Sequence, residues 1–89
     1  MNNGNEKLPF TLYHMAYCPY CVAVRKAMDT MGLDIELRDI SNNPDFRSQL
    51  VQGGGKPQVP CLKIEEADGK VNWLYESGDI IKYLRNYIK

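Results

Sequence analysis

The chain has 89 residues, 11 Lys and Arg against 11 Asp and Glu, and a formal net charge of zero with its single histidine neutral. That length holds one domain, and the lack of a basic surplus argues against a protein built to neutralise nucleic-acid phosphates, though not against a small basic patch. With 44% hydrophobic and 25% charged residues the composition is globular rather than disordered, and no apolar run reaches the roughly 20 residues that a membrane helix needs.

In chain order, the polar start over residues 1–8 reads as a flexible lead-in. It lacks the basic-then-apolar pattern of a signal peptide, so the expected compartment is the cytoplasm. The apolar and aromatic run Phe10-Thr-Leu-Tyr-His-Met15 predicts a central strand. Pro19 suits a first helical position and Gly32 a helix end, which predicts a helix over 19–31. Asp34 to Asp39 alternates polar and apolar residues, the pattern of a strand. Asn43-Pro44 is a helix start, with a short helix to about Val51 that Gly53-Gly54-Gly55 ends. Val59 to Glu65 predicts a third strand, Asp68-Gly69 a turn and Val71 to Tyr75 a fourth strand. Ser77-Gly78-Asp79 opens a last helix whose apolar stripe is Ile80, Ile81, Leu84 and Ile88. The order is β-α-β-α-β-β-α, with the first two strands parallel and the last two a hairpin.

Three cysteines, an odd number, do not make the disulfide scaffold of a small secreted domain. Cys18-Pro-Tyr-Cys21 follows a strand and opens a helix, so both sulfurs lie on one helix face at a separation a disulfide can close. Cys18 falls at the cap, where unpaired N–H groups and the positive end of the helix dipole favour a thiolate. Cys21 lies one turn in and is expected to be more buried and less ionised. This assigns attack to Cys18 and resolution of the mixed disulfide to Cys21. A closed zinc site would need two further ligands from Cys61 and His14 alone, so no metal is expected. Strand alternation makes Cys61 a buried small hydrophobe, His14 reads as a core residue, and Phe46 and Trp73 as packing. Arg25-Lys26 reads as a solvated face. Ser77-Gly78-Asp79 is an anion site on physical grounds, because a helix start favours a carboxylate.

Leu12 to Cys21, Gln58-Val59-Pro60 and Glu76-Ser77-Gly78-Asp79 together resemble a glutaredoxin, and the likeness covers about residues 9–88. Cys-Pro-Tyr-Cys is that family's dithiol signature. The resemblance implies a thioredoxin-like α/β fold over residues 9–89, a four-stranded mixed sheet with helices on both faces. It implies a monomeric, glutathione-dependent thiol–disulfide oxidoreductase acting on protein disulfides and glutathionylated proteins. It makes Pro60 a cis proline facing the cysteines, with the backbone before it at Val59 pairing with the cysteine of glutathione. Ser77 and Gly78 would hold the γ-glutamyl carboxylate, Asp79 the amine, and exposed Tyr20 would pack on the tripeptide. Tyr17 would shape the rim.

The sequence departs from the family pattern in two places. Gln58 stands where the family often has Thr, and Met15 stands three residues before Cys18, where many members have Lys. The missing cation predicts a less acidic Cys18 than in members that carry it. Lys56 is the candidate for glutathione's glycine carboxylate, ahead of Arg47 and Gln49. Two other readings stay open. Glu76-Ser77 also resembles glutathione transferase N-terminal domains, although 89 residues leave no room for a helical second domain. A module sharing an iron–sulfur cluster across a dimer is the other, which Pro19 beside Cys18 disfavours in the family.

Overall fold

The computed structural model of the protein describes residues 8–88. The lead-in expected over residues 1–8 lies outside the described residues except for Leu8, which packs against the core. Strand β1 (Phe10–His14) leads into helix α1 (Pro19–Met31), strand β2 (Glu36–Asp39) and helix α2 (Pro44–Gly54). Strands β3 (Cys61–Glu65) and β4 (Val71–Tyr75) follow, then helix α3 (Ser77–Tyr87). The strands form one mixed sheet in the order β2-β1-β3-β4. β1 and β2 are parallel, β3 is antiparallel to β1, and β4 completes the hairpin, as the element order requires.

Period-two alternation divides the core into two layers. Phe10, Leu12, Leu62 and Ile64 face one way and pack with Val24 and Met28 of α1 and Ile80 and Leu84 of α3. Tyr13 and Cys61 face the other way and pack with Leu50 of α2, flanked by Phe46, Trp73 and Tyr75. The helices therefore cover both faces of the sheet. Each fully buried leucine in these layers contributes about 1.5–3 kcal/mol relative to exposure.

Most element ends fall where local chemistry puts them. Pro19 takes a first-turn position of α1, and Gly32 ends it at φ 71° while Leu33 N–H donates to Met28 O at 3.0 Å. The Asn43 side chain accepts from Asp45 N–H at 2.9 Å and caps α2. Three ends differ from the expectation. β3 begins at Cys61 rather than Val59, because Pro60 has no N–H to give to a ladder. β2 begins at Glu36 rather than Asp34. Helix α2 runs through Gly53 and Gly54, and only Gly55, at φ 98°, stops it. Glycine is a poor helix former, and here tertiary contact overrides that preference. A Cβ on Gly53 would collide with the Trp73 indole, and one on Gly54 with the Tyr75 hydroxyl. The two glycines let the end of α2 lie directly on these rings.

Register aligns Tyr13 with Cys61 and Cys61 with Tyr75. One step further along, His14, Pro60 and Glu76 come side by side at one end of the sheet, where α1 and α3 both start. Gly53→Ala is expected to lower the melting temperature by about 5–15 °C, since overpacking costs roughly 1–3 kcal/mol in a domain of this size. In a Trp73→Ala background the same change becomes neutral or stabilising, because only the helix preference for alanine remains. Thermal denaturation of the four proteins checks this.

Candidate active site

The turn between β1 and α1 sets the site. β1 ends at His14, whose carbonyl takes the Ile40 N–H at 3.0 Å. Met15 then turns out of the sheet. Its carbonyl accepts the Cys18 N–H at 3.2 Å, and its own N–H reaches Cys21 Sγ at 3.5 Å. Cys18 follows as the N-cap of α1, in extended conformation (φ −77°, ψ 122°), half-buried, with Pro19 next. Cys21 is fully buried. All three cysteines are free thiols.

The two sulfurs of the pair sit in opposite electrostatic settings. Burial works against a charge on Cys18, but it is outweighed. The Cys21 N–H and thiol, the Tyr20 N–H and the Arg25 guanidinium all favour the anion and hold the Cys18 thiol below its ordinary value of 9.0. The neutral sulfur makes no formed cap bond, so these donors act by facing it and strengthen once it is charged. Burial pushes Cys21 up to about 11, and the neighbouring Cys18 adds to the rise, against the Met15 N–H and Arg25. Cys61 is pushed up to about 12 by burial, against a bond with Tyr75 and the charge of Lys56. It lies in the α2-side layer, where alternation put it.

The other sequence-derived residues gather around the same end of the sheet. The Val59–Pro60 peptide bond is cis and Pro60 is buried. Glu76 caps α3 with φ 76°, a conformation that non-glycine residues adopt rarely and at a cost of order 1–3 kcal/mol. Its carboxylate accepts from Gln58 Nε2 at 3.1 Å, tying the segment before Pro60 to the start of α3. Ser77 follows half-buried, with Gly78 and Asp79 exposed in the first turn. Lys56 lies over the Tyr75 ring, Nζ 4.8 Å from its centroid, and its carbonyl accepts from the Tyr75 hydroxyl at 3.0 Å. Tyr20 and Tyr17 are 67% and 97% exposed on the rim beside Cys18. Gln49, weighed as a carboxylate partner, is instead the acceptor for the Tyr13 hydroxyl at 2.9 Å and Arg38 Nη1 at 2.7 Å. Arg47 is exposed on α2.

Sequence reasoning missed Arg25. It does not lie on a solvated face, unlike exposed Lys26. Its Nη1 meets His14 Nδ1 at 2.9 Å and its Nη2 donates to Ala16 O at 3.0 Å. The signal available was its position four residues after Cys21, one turn along the same helix face. His14 is buried, as its place on a central strand suggests. Burial and the Arg25 charge hold it below its ordinary 6.5, against the pull of Asp39 and Met15.

A four-stranded mixed sheet between helices, with a cysteine pair at the start of α1 and a cis proline at the same end of the sheet, gives the chain a thioredoxin-like fold. A family model described as Glutaredoxin matches residues 10–68. The chain belongs to the glutaredoxin family. A glutaredoxin of Pseudomonas aeruginosa is 29% identical over 58 residues, 65% of this chain and 69% of that protein. The structure of glutaredoxin C1 from Populus tremula x tremuloides shares the fold, with a TM-score of 0.65 and 20% identity over 89% of this chain and 76% of that one. A maleylacetoacetate isomerase from Anaeromyxobacter dehalogenans, with glutathione bound in its active site, has a TM-score of 0.68 and 26% identity. The match covers 92% of this chain and 38% of the isomerase, so the chain spans well under half of that enzyme. Among the described residues no group of three or more His, Cys, Asp or Glu is placed to hold a metal, and no helix is long and apolar enough to cross a membrane.

Two outcomes follow from these electrostatics. Iodoacetamide at neutral pH is expected to label Cys18 and leave Cys21 and Cys61 unlabelled in the folded protein, because only the thiolate reacts; mass spectrometry of the digest reads this. His14 binds its proton less readily in the fold than in the unfolded chain, so below its ordinary 6.5 the unfolded state takes up more protons. The stability it supports is complete above that pH and is lost as pH falls through it. Urea midpoints between pH 8 and pH 5 are expected to fall in the native protein and to fall less in His14→Gln.

Proposed function

We propose that the chain is a glutathione-dependent thiol–disulfide oxidoreductase that reduces protein disulfides and protein–glutathione mixed disulfides. The observation that carries this reading is the asymmetry of the cysteine pair. Cys18 is accessible and favours its thiolate, while Cys21 is buried and held protonated up to about 11. Thiolate attack drives exchange, so the first sulfur starts the reaction and the second waits for a partner to be bound.

The Cys18 thiolate attacks one sulfur of a protein disulfide, forms a mixed disulfide and expels the other sulfur as a thiolate. Cys21 gives up its proton to the departing thiol and attacks Cys18 Sγ. This closes the Cys18–Cys21 disulfide and releases the fully reduced protein. Two glutathiones then return the pair to dithiols and leave as glutathione disulfide, so two electrons pass from glutathione to the substrate. On a glutathionylated protein, Cys18 takes the glutathionyl group and the protein thiol leaves. A second glutathione attacks the glutathionyl sulfur, expels the Cys18 thiolate and leaves as glutathione disulfide.

The end of the sheet supplies the parts of a glutathione site. The Val59 backbone before Pro60 offers edge hydrogen bonds to the cysteinyl residue of the tripeptide. The Ser77 hydroxyl and the N–H groups of Ser77 and Gly78 at the start of α3 suit the γ-glutamyl carboxylate. Asp79 suits the amine, Lys56 the glycine carboxylate, and Tyr20 a packing contact. The strained Glu76, clasped by Gln58, supports this assignment, since such strain persists where surroundings enforce it and clusters at ligand clamps. Glutathione in the site of the isomerase relative agrees with it.

The test is glutathione-dependent reduction of a glutathionylated peptide. Cys18→Ser is expected to be inactive, while Cys21→Ser keeps that activity and loses reduction of intramolecular protein disulfides. Ser77→Ala is expected to raise KM for glutathione by roughly three- to tenfold, about one hydrogen bond's worth. A native protein that is inert with glutathione, or that conjugates it to an electrophile instead, would overturn the reading.

A further inference from the structure

Arg25 stands one turn beyond Cys21 on α1. A helical side chain leans back toward the helix start, and this one reaches over the turn that carries Cys18. There its guanidinium meets His14 Nδ1 at 2.9 Å, Ala16 O at 3.0 Å and Met15 O at 3.4 Å. Met15 is thus bonded three ways: its carbonyl to Arg25 and to the Cys18 N–H, its N–H to Cys21 Sγ. A planar fork with five donors fits acceptors spread like this, where an ammonium would satisfy one at a time.

None of the three partners is an anion. His14 accepts only through a bare Nδ1, so its proton belongs on Nε2 and the ring is neutral. Asp39, the carboxylate that acts on His14 from β2, is taken up by the Ser41 N–H at 2.9 Å and the Ser41 hydroxyl. A guanidinium anchored by neutral groups keeps its full charge for the one anion that forms beside it, the Cys18 sulfur. Arg25 and Cys21 are the side chains that act on that sulfur, and the other titratable side chains beside it are Tyr17 and Tyr20 on the rim.

We propose that Arg25 is the positioning residue of this redox site: anchored by neutral His14, it staples the Met15–Cys18 turn over the start of α1 and supplies the positive charge that the Cys18 thiolate needs. It does from α1 what a lysine at position 15 would do from the turn, which explains how Met15 can stand there. The inference rests on the reading of Cys18 as the attacking thiol.

The test is the thiol pKa of Cys18, taken from the pH dependence of iodoacetamide alkylation, with circular dichroism melts as a check on folding. Arg25→Met is expected to raise it measurably above the native value. Arg25→Lys, which keeps the charge, is expected to recover at least half of that rise, and Met15→Lys added to Arg25→Met to recover it from the other side. Lys26→Met is expected to change nothing. If folded Arg25→Met leaves the value unmoved, or if Arg25→Lys recovers none of the rise, the proposal is wrong. Should Arg25→Met not fold, Arg25→Gln keeps a donor for the turn without the charge; the same rise is expected of it, and no rise overturns the proposal equally. A native Cys18 that titrates like an ordinary exposed cysteine would instead sink the reading of the site itself, whatever Arg25 does.

Discussion

The first turn of α1 has backbone N–H groups with no carbonyl to pair with, and a sulfur atom stands where a capping oxygen usually would. Everything chemically distinctive about the chain follows from that placement. A thiol is a poor acceptor and a thiolate a good one, so the helix start makes Cys18 easier to ionise than an ordinary cysteine even though partial burial opposes it. Pro19 sets the backbone for the turn and withholds its own donor, leaving the Tyr20 and Cys21 N–H groups to act on the sulfur. One turn deeper the same helix buries Cys21, and desolvation reverses the preference. Two identical side chains three residues apart thus acquire opposite ionisation tendencies through one helix end and one depth gradient.

The sheet turns that local device into a site. Because β1 pairs with β3 and β3 with β4, the cis Val59–Pro60 bond and the start of α3 arrive beside the cysteine turn. The two glycines at the end of α2 hold that helix against Trp73 and Tyr75, and Tyr75 in turn bonds the Lys56 carbonyl. The loop from Gly55 to Pro60 is therefore braced at both ends, by Tyr75 on one side and by the Gln58–Glu76 bond on the other. A reactive thiol facing a braced, partly strained surface is suited to holding a small peptide-like partner in one orientation.

Legibility in the sequence followed the range of the forces involved. Elements set by local signals were readable: α1 between Pro19 and Gly32, α2 from its Asn43 cap, β4 and the Asp68-Gly69 turn, and the inward face of Cys61. The ends that moved were decided at a distance. α2 passes through Gly53 and Gly54 because of aromatic rings on β4, which no local propensity contains. Arg25 was only partly legible for the same reason: its spacing from Cys21 puts it on the cysteine face of α1, but its contact with His14 is made through space by strand and helix packing. The family pattern along the chain left the charge expected at Met15 either missing or supplied from elsewhere. Arg25, ten residues later, meets that turn through space.

By itself, the sequence determined the element order, the position of the cysteine pair at a helix start and the resemblance to the glutaredoxin family, because each depends on interactions within a few residues. Tertiary structure alone decided which cation serves Cys18, that His14 must be neutral, and how Gln58 and Glu76 meet. Those outcomes depend on strand register and helix packing, which bring together residues far apart in the chain and are set by burial of the whole core rather than by any local segment.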